Sequence, residues 1–427
     1  MADEFLARAK TPSAVASKHG DIDASLRSAG GDVVEADYVF PYLAHAPMEP
    51  LNGVLSWDGA KVEARYGCQA QTFDQGAIAK VFGIKPEQVT ITTTFAGGSF
   101  GRRVTGDFQF AVELAEAAKA MGPNQPVKLV WTREDDITGG YYRPFTVHRM
   151  RGVVKDGTVA GWSDTIVAQS FMIGTVLEPF AVKDGVDASM VEGATNIFYE
   201  VPNFRCDVAV AKSPVTTLWW RSVGHTHTGY AVETFIDLLL EKAGKDPVEG
   251  RLALMGKTPA SSRAAAALKA VAELAKWQGP GPVNGRARGV AVVESFNSCV
   301  AEIAEVSIGE NGEPKVHKVW AAVDCGVAVN PDVIRSQVEG GIGFALGHIL
   351  YGEVPLEAGR PTVSNFNDYR SLRIQEMPEV EVTILKLDNP PTGIGEPGVP
   401  PLGPAVANAL ARLGQARPTR LPMVKPA

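Results

Sequence analysis

Gly279-Pro280-Gly281-Pro282 is the feature that most restricts how this chain can fold. Proline removes a backbone donor and fixes φ, and glycine resists ordering, so no helix interior or central strand runs through it. The same kind of pattern lies on either side. Before it, 33–40, 61–66, 89–95, 127–132 and 204–212 alternate or are β-branched and predict strands, and 147–169 predicts a hairpin turning at Asp156-Gly157. Helical periods fill 74–82, 108–121 and a stretch burying Phe235, Ile236 and Leu239 that stops at Gly244. An Ala-rich helix precedes the tetrad. After it come strands at 287–294, 300–308, 315–324 and 380–387, a long helix at 331–350 and a small-residue helix beginning at Gly403. The expectation is α+β throughout: a weakly structured segment 1–34, a first domain 35–277, a linker 278–286 and a second domain 287–427.

Composition narrows the function classes. A net charge of −7 with no basic block argues against nucleic acid as a partner. No apolar run reaches the roughly 18 residues of a membrane span. Met1 to Arg27 has mixed charge and no apolar core, so it does not read as a secretory signal. The four cysteines are far apart and form no CxxC, which gives no pattern for an iron–sulfur cluster or a structural zinc. No HExxH or comparable metal spacing is present either.

Three loops carry chemistry, each with a purely structural alternative. Thr392-Gly393-Ile394-Gly395-Glu396-Pro397-Gly398 isolates one carboxylate in a stiff Gly/Pro run ahead of a helix, which suits a positioned general base. The alternative is an ordinary loop with a solvated Glu. Ala96-Gly97-Gly98-Ser99-Phe100-Gly101 follows a strand, and its successive amides can cradle an anion. A tight strand-to-helix turn would read the same. Trp219-Trp220-Arg221-Ser222-Val223-Gly224 sets a guanidinium beside two indoles, fit for a planar or oxyanionic ligand. It reads equally as a core Trp pair with a salt-bridged Arg.

Taken in order, these loops and several further motifs resemble the large subunit of the molybdenum hydroxylases, the xanthine dehydrogenase/aldehyde oxidase family. The isoquinoline 1-oxidoreductase β-subunit and membrane-linked aldehyde dehydrogenase types are the most similar. The other motifs are Tyr42-Leu43-Ala44-His45-Ala46-Pro47-Met48-Glu49-Pro50, Asp246-Pro247 with Arg251, Val323-Asp324-Cys325-Gly326, Gln337-Val338-Glu339-Gly340-Gly341 and Asn365-Phe366-Asn367-Asp368-Tyr369.

The resemblance implies two molybdopterin-binding α+β domains of the xanthine dehydrogenase large-subunit type. It implies a molybdenum–molybdopterin cytosine dinucleotide cofactor, with the metal held by the pterin dithiolene and by no protein side chain. By matching position, Gly97, Gly98, Phe100, Gly101, Arg221, Gly224, Phe296, Ser298, Cys299, Gln337, Gly340 and Gly341 would bind the cofactor. His45, Trp220 and Arg221 would line the substrate pocket, and Glu396 would be the base. The reaction implied is aldehyde oxidation or N-heteroaromatic hydroxylation with oxygen from water. Electrons would pass to a [2Fe–2S] small subunit, with a cytochrome c subunit as a further implied partner. Proteins of this type carry several hundred residues ahead of the loop matching His45. The resemblance therefore makes this chain a fragment, the product of a truncated gene or one half of a split subunit, with an apolar face expected where the missing half would sit. The compartment follows that partner, periplasmic if it carries an export signal and cytoplasmic otherwise. Two other readings stand beside this one: a non-catalytic assembly module of the same fold, and an unrelated phosphate-binding protein using the Gly97 loop.

Overall fold

The computed structural model describes residues 1–175, 177–256 and 258–424. Three sheets organise it. The first has five strands, in the spatial order Ala14–His19, Asn203–Val210, Thr158–Ala168, Thr146–Lys155 and Val33–Phe40. Its central hairpin turns at Asp156 and Gly157, whose φ of 51° and 71° make the left-handed pair that matches strand twist. One face of this sheet packs on the helix His225–Lys242, burying Trp162, Phe235, Ile236 and Leu239.

The second sheet, Val89–Thr93, Val62–Tyr66, Asn52–Trp57 and Val127–Val130, belongs to a separate small core. The helices Gln71–Phe82 and Gln109–Met121 cover it, through Ile78, Ala79, Phe110 and Leu114. The predicted first domain thus holds two large sheets with separate cores.

The third sheet runs Ala287–Ser295, Ser298–Ile308, Pro314–Asp324 and Glu379–Ile384. The helix Leu402–Arg412 lies on it so closely that a Cβ at Gly289 would meet the Ala405 carbonyl oxygen at 2.0 Å. Small residues make this approach possible, and backbone contact replaces side-chain interdigitation there. The helices Pro259–Leu274 and Pro331–Tyr351 complete this half. One apolar cluster runs through the first and third sheets, joining Tyr230 and Phe235 to Val300, Ile342 and Leu402.

The expectation of a weakly structured segment at 1–34 is overturned. These residues form the helix Ala2–Arg8, the strand Ala14–His19 and the helix Ile22–Ala29. The strand pairs antiparallel with Asn203–Val210, and Phe5 and Ile22 are buried. Each element is short and commits one or two apolar side chains to the sheet, too few to show as a periodicity.

Candidate active site

The site forms where three loops meet the N-terminal half of the Pro331–Tyr351 helix. Glu396 is half-buried at its centre. Ser222 N–H donates to Glu396 Oε1 at 2.9 Å, and Ser222 Oγ donates to the Glu396 carbonyl oxygen at 2.7 Å. Arg221 donates through Nε and Nη2 to the Gly395 carbonyl oxygen, at 3.0 and 2.5 Å. Its Nη2 also reaches Gln337 Oε1 at 3.0 Å. The sequence left open a salt-bridged Arg221; the structure gives it carbonyl and amide partners instead. Burial pulls the Arg221 pKa below its ordinary value, and the Glu396 carboxylate pulls it back up.

The loop behind this pair is strained. Ser222 has φ 80° and Val223 has φ 51°. The left-handed region costs an L-residue roughly 1–2 kcal/mol, and more for a β-branched one. On the other side, Gly398 touches the Val338 backbone, with a built Cβ at 3.0 Å from its Cα, and Gly341 returns the contact at 3.0 Å from the Gly398 carbonyl carbon. Side chains at either position would push the Glu396 loop off the helix.

The Gly97 loop reaches the same place through aromatic rings. Phe100, at φ 57°, stacks on Phe344 with centroids 4.3 Å apart, and Trp220 stacks on Phe344 at 4.5 Å. The loop itself is held from below by Arg103, buried, whose Nε donates to the Gly98 carbonyl oxygen at 3.0 Å and whose Nη2 pairs with Glu49 Oε2 at 3.1 Å. The Gly97 amide is already committed to Glu49 Oε2 at 2.6 Å. The amides of Gly98, Ser99, Phe100 and Gly101 find no protein acceptor among the described residues.

The remaining predicted residues take several positions. Phe296 is 38% exposed in a two-residue turn, at φ 53° beside Asn297 at φ 60°. Its carbonyl oxygen accepts from the Gly393 amide at 3.2 Å, and Ser298 Oγ meets Thr392 Oγ1 at 2.7 Å, so this hairpin supports the Glu396 loop. Arg263 Nη1 donates to the Asn297 carbonyl oxygen at 2.8 Å while Nε and Nη2 grip Asp324.

The Cys299 thiol turns into the core. Successive strand residues face opposite ways; Ser298 faces the loop, and the Cys299 side chain is buried under the Pro259–Leu274 helix. Burial pushes its thiol up to about 12. Gly224 is enclosed by protein at both its α-carbon and its amide. It is a packing glycine whose Cβ would lie 2.1 Å from the Ser189 carbonyl oxygen, with its amide held by Glu192. His45 and Trp220 are buried behind the opening. His45 Nε2–H donates to the Trp219 carbonyl oxygen at 2.8 Å, and burial pushes the ring down to about 3, which keeps it neutral.

The cysteines give a simple check. Cys206, Cys299 and Cys325 are buried, and Cys68 is half-buried. A thiol reagent should modify Cys68 first in the native chain and all four cysteines only after unfolding. Rapid native labelling of Cys299 would contradict the inward orientation of its side chain.

A pterin cofactor fits these residues. Four unpaired amides line the Gly98–Gly101 turn. Gly340 and Gly395 face open space, since a Cβ built on either meets nothing within 4 Å. The exposed Gln337 side chain accepts from Arg221, which also holds the Gly395 carbonyl oxygen. Among the described residues no cluster of His, Cys, Asp and Glu could hold a metal ion by itself. No helix among them is long and apolar enough to cross a membrane.

Comparison with known proteins gives the family and the fold. Residues 7–255 and 246–378 each match the molybdopterin cofactor-binding domain family. The chain is 32% identical to the isoquinoline 1-oxidoreductase subunit beta of Brevundimonas diminuta, over 91% of this chain and 49% of the relative. It is 29% identical to a membrane-bound aldehyde dehydrogenase of Gluconacetobacter polyoxogenes, over 92% of this chain and 53% of the relative. The chain thus spans about half the length of these curated relatives. Among solved structures, quinoline 2-oxidoreductase from Pseudomonas putida 86 superposes with a TM-score of 0.80 at 15% identity, covering 96% of this chain and 78% of that one. Aldehyde oxidoreductase from Desulfovibrio gigas gives 0.75 at 16% identity, covering 96% of this chain and 62% of that one. The chain belongs to the molybdopterin cofactor-binding domain family, and its fold is that of a molybdenum hydroxylase large subunit.

Proposed function

We propose that this chain is the catalytic portion of a molybdenum-dependent hydroxylase that oxidises an aldehyde or hydroxylates an N-heteroaromatic with oxygen from water. The observation that carries the reading is the Glu396 carboxylate: half-exposed, fixed through Oε1 by the Ser222 amide, and bordered by the Gly395 and Gly340 openings. The bound cofactor supplies the oxidising power and the activated oxygen. The chain supplies position and a proton acceptor. Ser222 occupies Oε1, so Oε2 is the atom that takes the proton. Arg221 and Gln337 fix the loop edge, and the Gly98–Gly101 amides and Gln337 hold the cofactor.

In the finer reading the cofactor is the cytosine dinucleotide form, with its nucleotide end toward the Phe296–Asn297 turn. Electrons leave to a [2Fe–2S] subunit, with a cytochrome c subunit beyond it. A further stretch of polypeptide, on this or a partner chain, closes the cofactor site. Val329 and Val333, 79% and 52% exposed at the start of the Gln337 helix, are the apolar rim on which it would rest.

The complex purified with its natural partners, from a host that makes the cofactor, should release molybdenum and a cytosine nucleotide on denaturation. Metal-free complex from such a host would refute the proposal. Molybdenum with a different nucleotide would refute only the finer reading.

A further inference from the structure

Ser222 combines three unusual properties. It is fully buried, it holds φ at 80°, and both hydrogen bonds that it donates go to Glu396. Glycine is the residue that adopts such a φ freely. Serine therefore strains this backbone, and the strain coincides with a hydroxyl donated to the Glu396 carbonyl oxygen at 2.7 Å. That oxygen already accepts from the Val399 amide at 3.0 Å. Removing the hydroxyl would thus leave no buried group unpaired. A bond of small structural value at a strained position has its use in geometry.

We infer that Ser222 is a positioning residue for the base. Its N–H and Oγ grip Glu396 at two points, the carboxylate and the peptide, and together they fix Oε2 as the proton-accepting atom. The peptide contact stops residues 395–396 from sliding along the Pro331–Tyr351 helix, and the carboxylate contact sets the rotation of the side chain. The inference rests on the function proposed above and adds to it a fully buried residue that acts through Glu396.

The test uses two variants that lose the same hydroxyl. Ser222→Gly releases the strain and Ser222→Ala keeps it. Thermal melting of the full chain should place the Gly variant above the Ala variant by about 1–2 °C. Turnover in the assembled enzyme, per bound molybdenum, should fall in both by a similar factor, about 10- to 100-fold, with KM unchanged. Crystal structures of either variant should show the Glu396 carboxyl displaced from the residue 222 amide. Turnover that follows the melting order, normal in the Gly variant and impaired only in the Ala variant, would make Ser222 a packing residue and overturn the inference. An undisplaced carboxyl or full turnover in both would also overturn it. Glu396→Gln separates the two failures. If it is inactive while the Ser222 variants are normal, the base assignment stands and this inference falls. If Glu396→Gln is also fully active, the base assignment itself has failed.

Discussion

Arg251→Ala should cost roughly 3–5 kcal/mol of stability, the usual cost of stripping one partner from a buried ion pair. Arg251 is fully buried, with Nε 3.0 Å from Glu233 Oε2 and Nη1 3.0 Å from Asp237 Oδ1. Its remaining donors go to the Pro247 and Glu233 carbonyl oxygens. The two carboxylates reach further. Glu233 accepts from Tyr199 Oη and from the Val292 amide of the third sheet, and Asp237 pairs with Arg412 and Arg417. Arg251 thus holds in place the two carboxylates through which the His225–Lys242 helix reaches the strand Ala287–Ser295 and the helix Leu402–Arg412. Burial already raises the Glu233 pKa, with Arg251 opposing the rise. An acid whose folded pKa is raised favours folding at low pH and loses that contribution as pH climbs. In the variant, which lacks the opposing charge, the deficit should therefore shrink at mildly acidic pH and grow toward alkaline pH. Urea midpoints measured across pH check both points. A variant with the wild-type midpoint would mean that the buried Arg251 adds nothing to stability beyond what Arg412, Arg417 and the Val292 amide already give the two carboxylates.

Much of this was legible in the sequence because the signals are local. The alternation in 33–40 and 315–324, the Asp156-Gly157 turn and the small residues after Gly403 all name their own structure within a few positions. The Glu396 loop was legible because no other charge shares its Gly/Pro run. What was not legible depends on partners far along the chain. Glu49 and Arg103, which build the floor of the Gly97 loop, are 54 residues apart. Phe344 joins Phe100 to Trp220, yet in sequence it is one more apolar residue of a long helix. The role of Ser222 lies in a backbone angle that only Gly would have advertised. The inward turn of the Cys299 thiol was not legible either, because a motif names a segment, whereas the strand's period of two decides which way each side chain faces.

The second large effect is on chemistry. Glu396→Gln should lower turnover by roughly 10²–10⁴-fold, the range for losing a general base. The substitution is close to isosteric in this setting. The Gln carbonyl oxygen can still accept the Ser222 amide, and the Arg221 bonds to the Gly395 carbonyl oxygen do not involve the side chain. What changes is the position of Oε2, where a donor NH₂ replaces the proton acceptor. Cofactor content and melting temperature should therefore stay near wild type. Glu379→Gln is a suitable control, since Glu379 is an exposed partner of Lys318 on the third sheet. Glu376 is a poorer one, because it anchors Arg370 and Tyr351. The direct measurement is anaerobic rapid mixing of the assembled Glu396→Gln enzyme with excess substrate, following reduction of the bound cofactor. If Glu396 is the base, reduction slows by the same roughly 10²–10⁴-fold at normal molybdenum content, with onward electron transfer unchanged. Reduction at the wild-type rate would contradict that role.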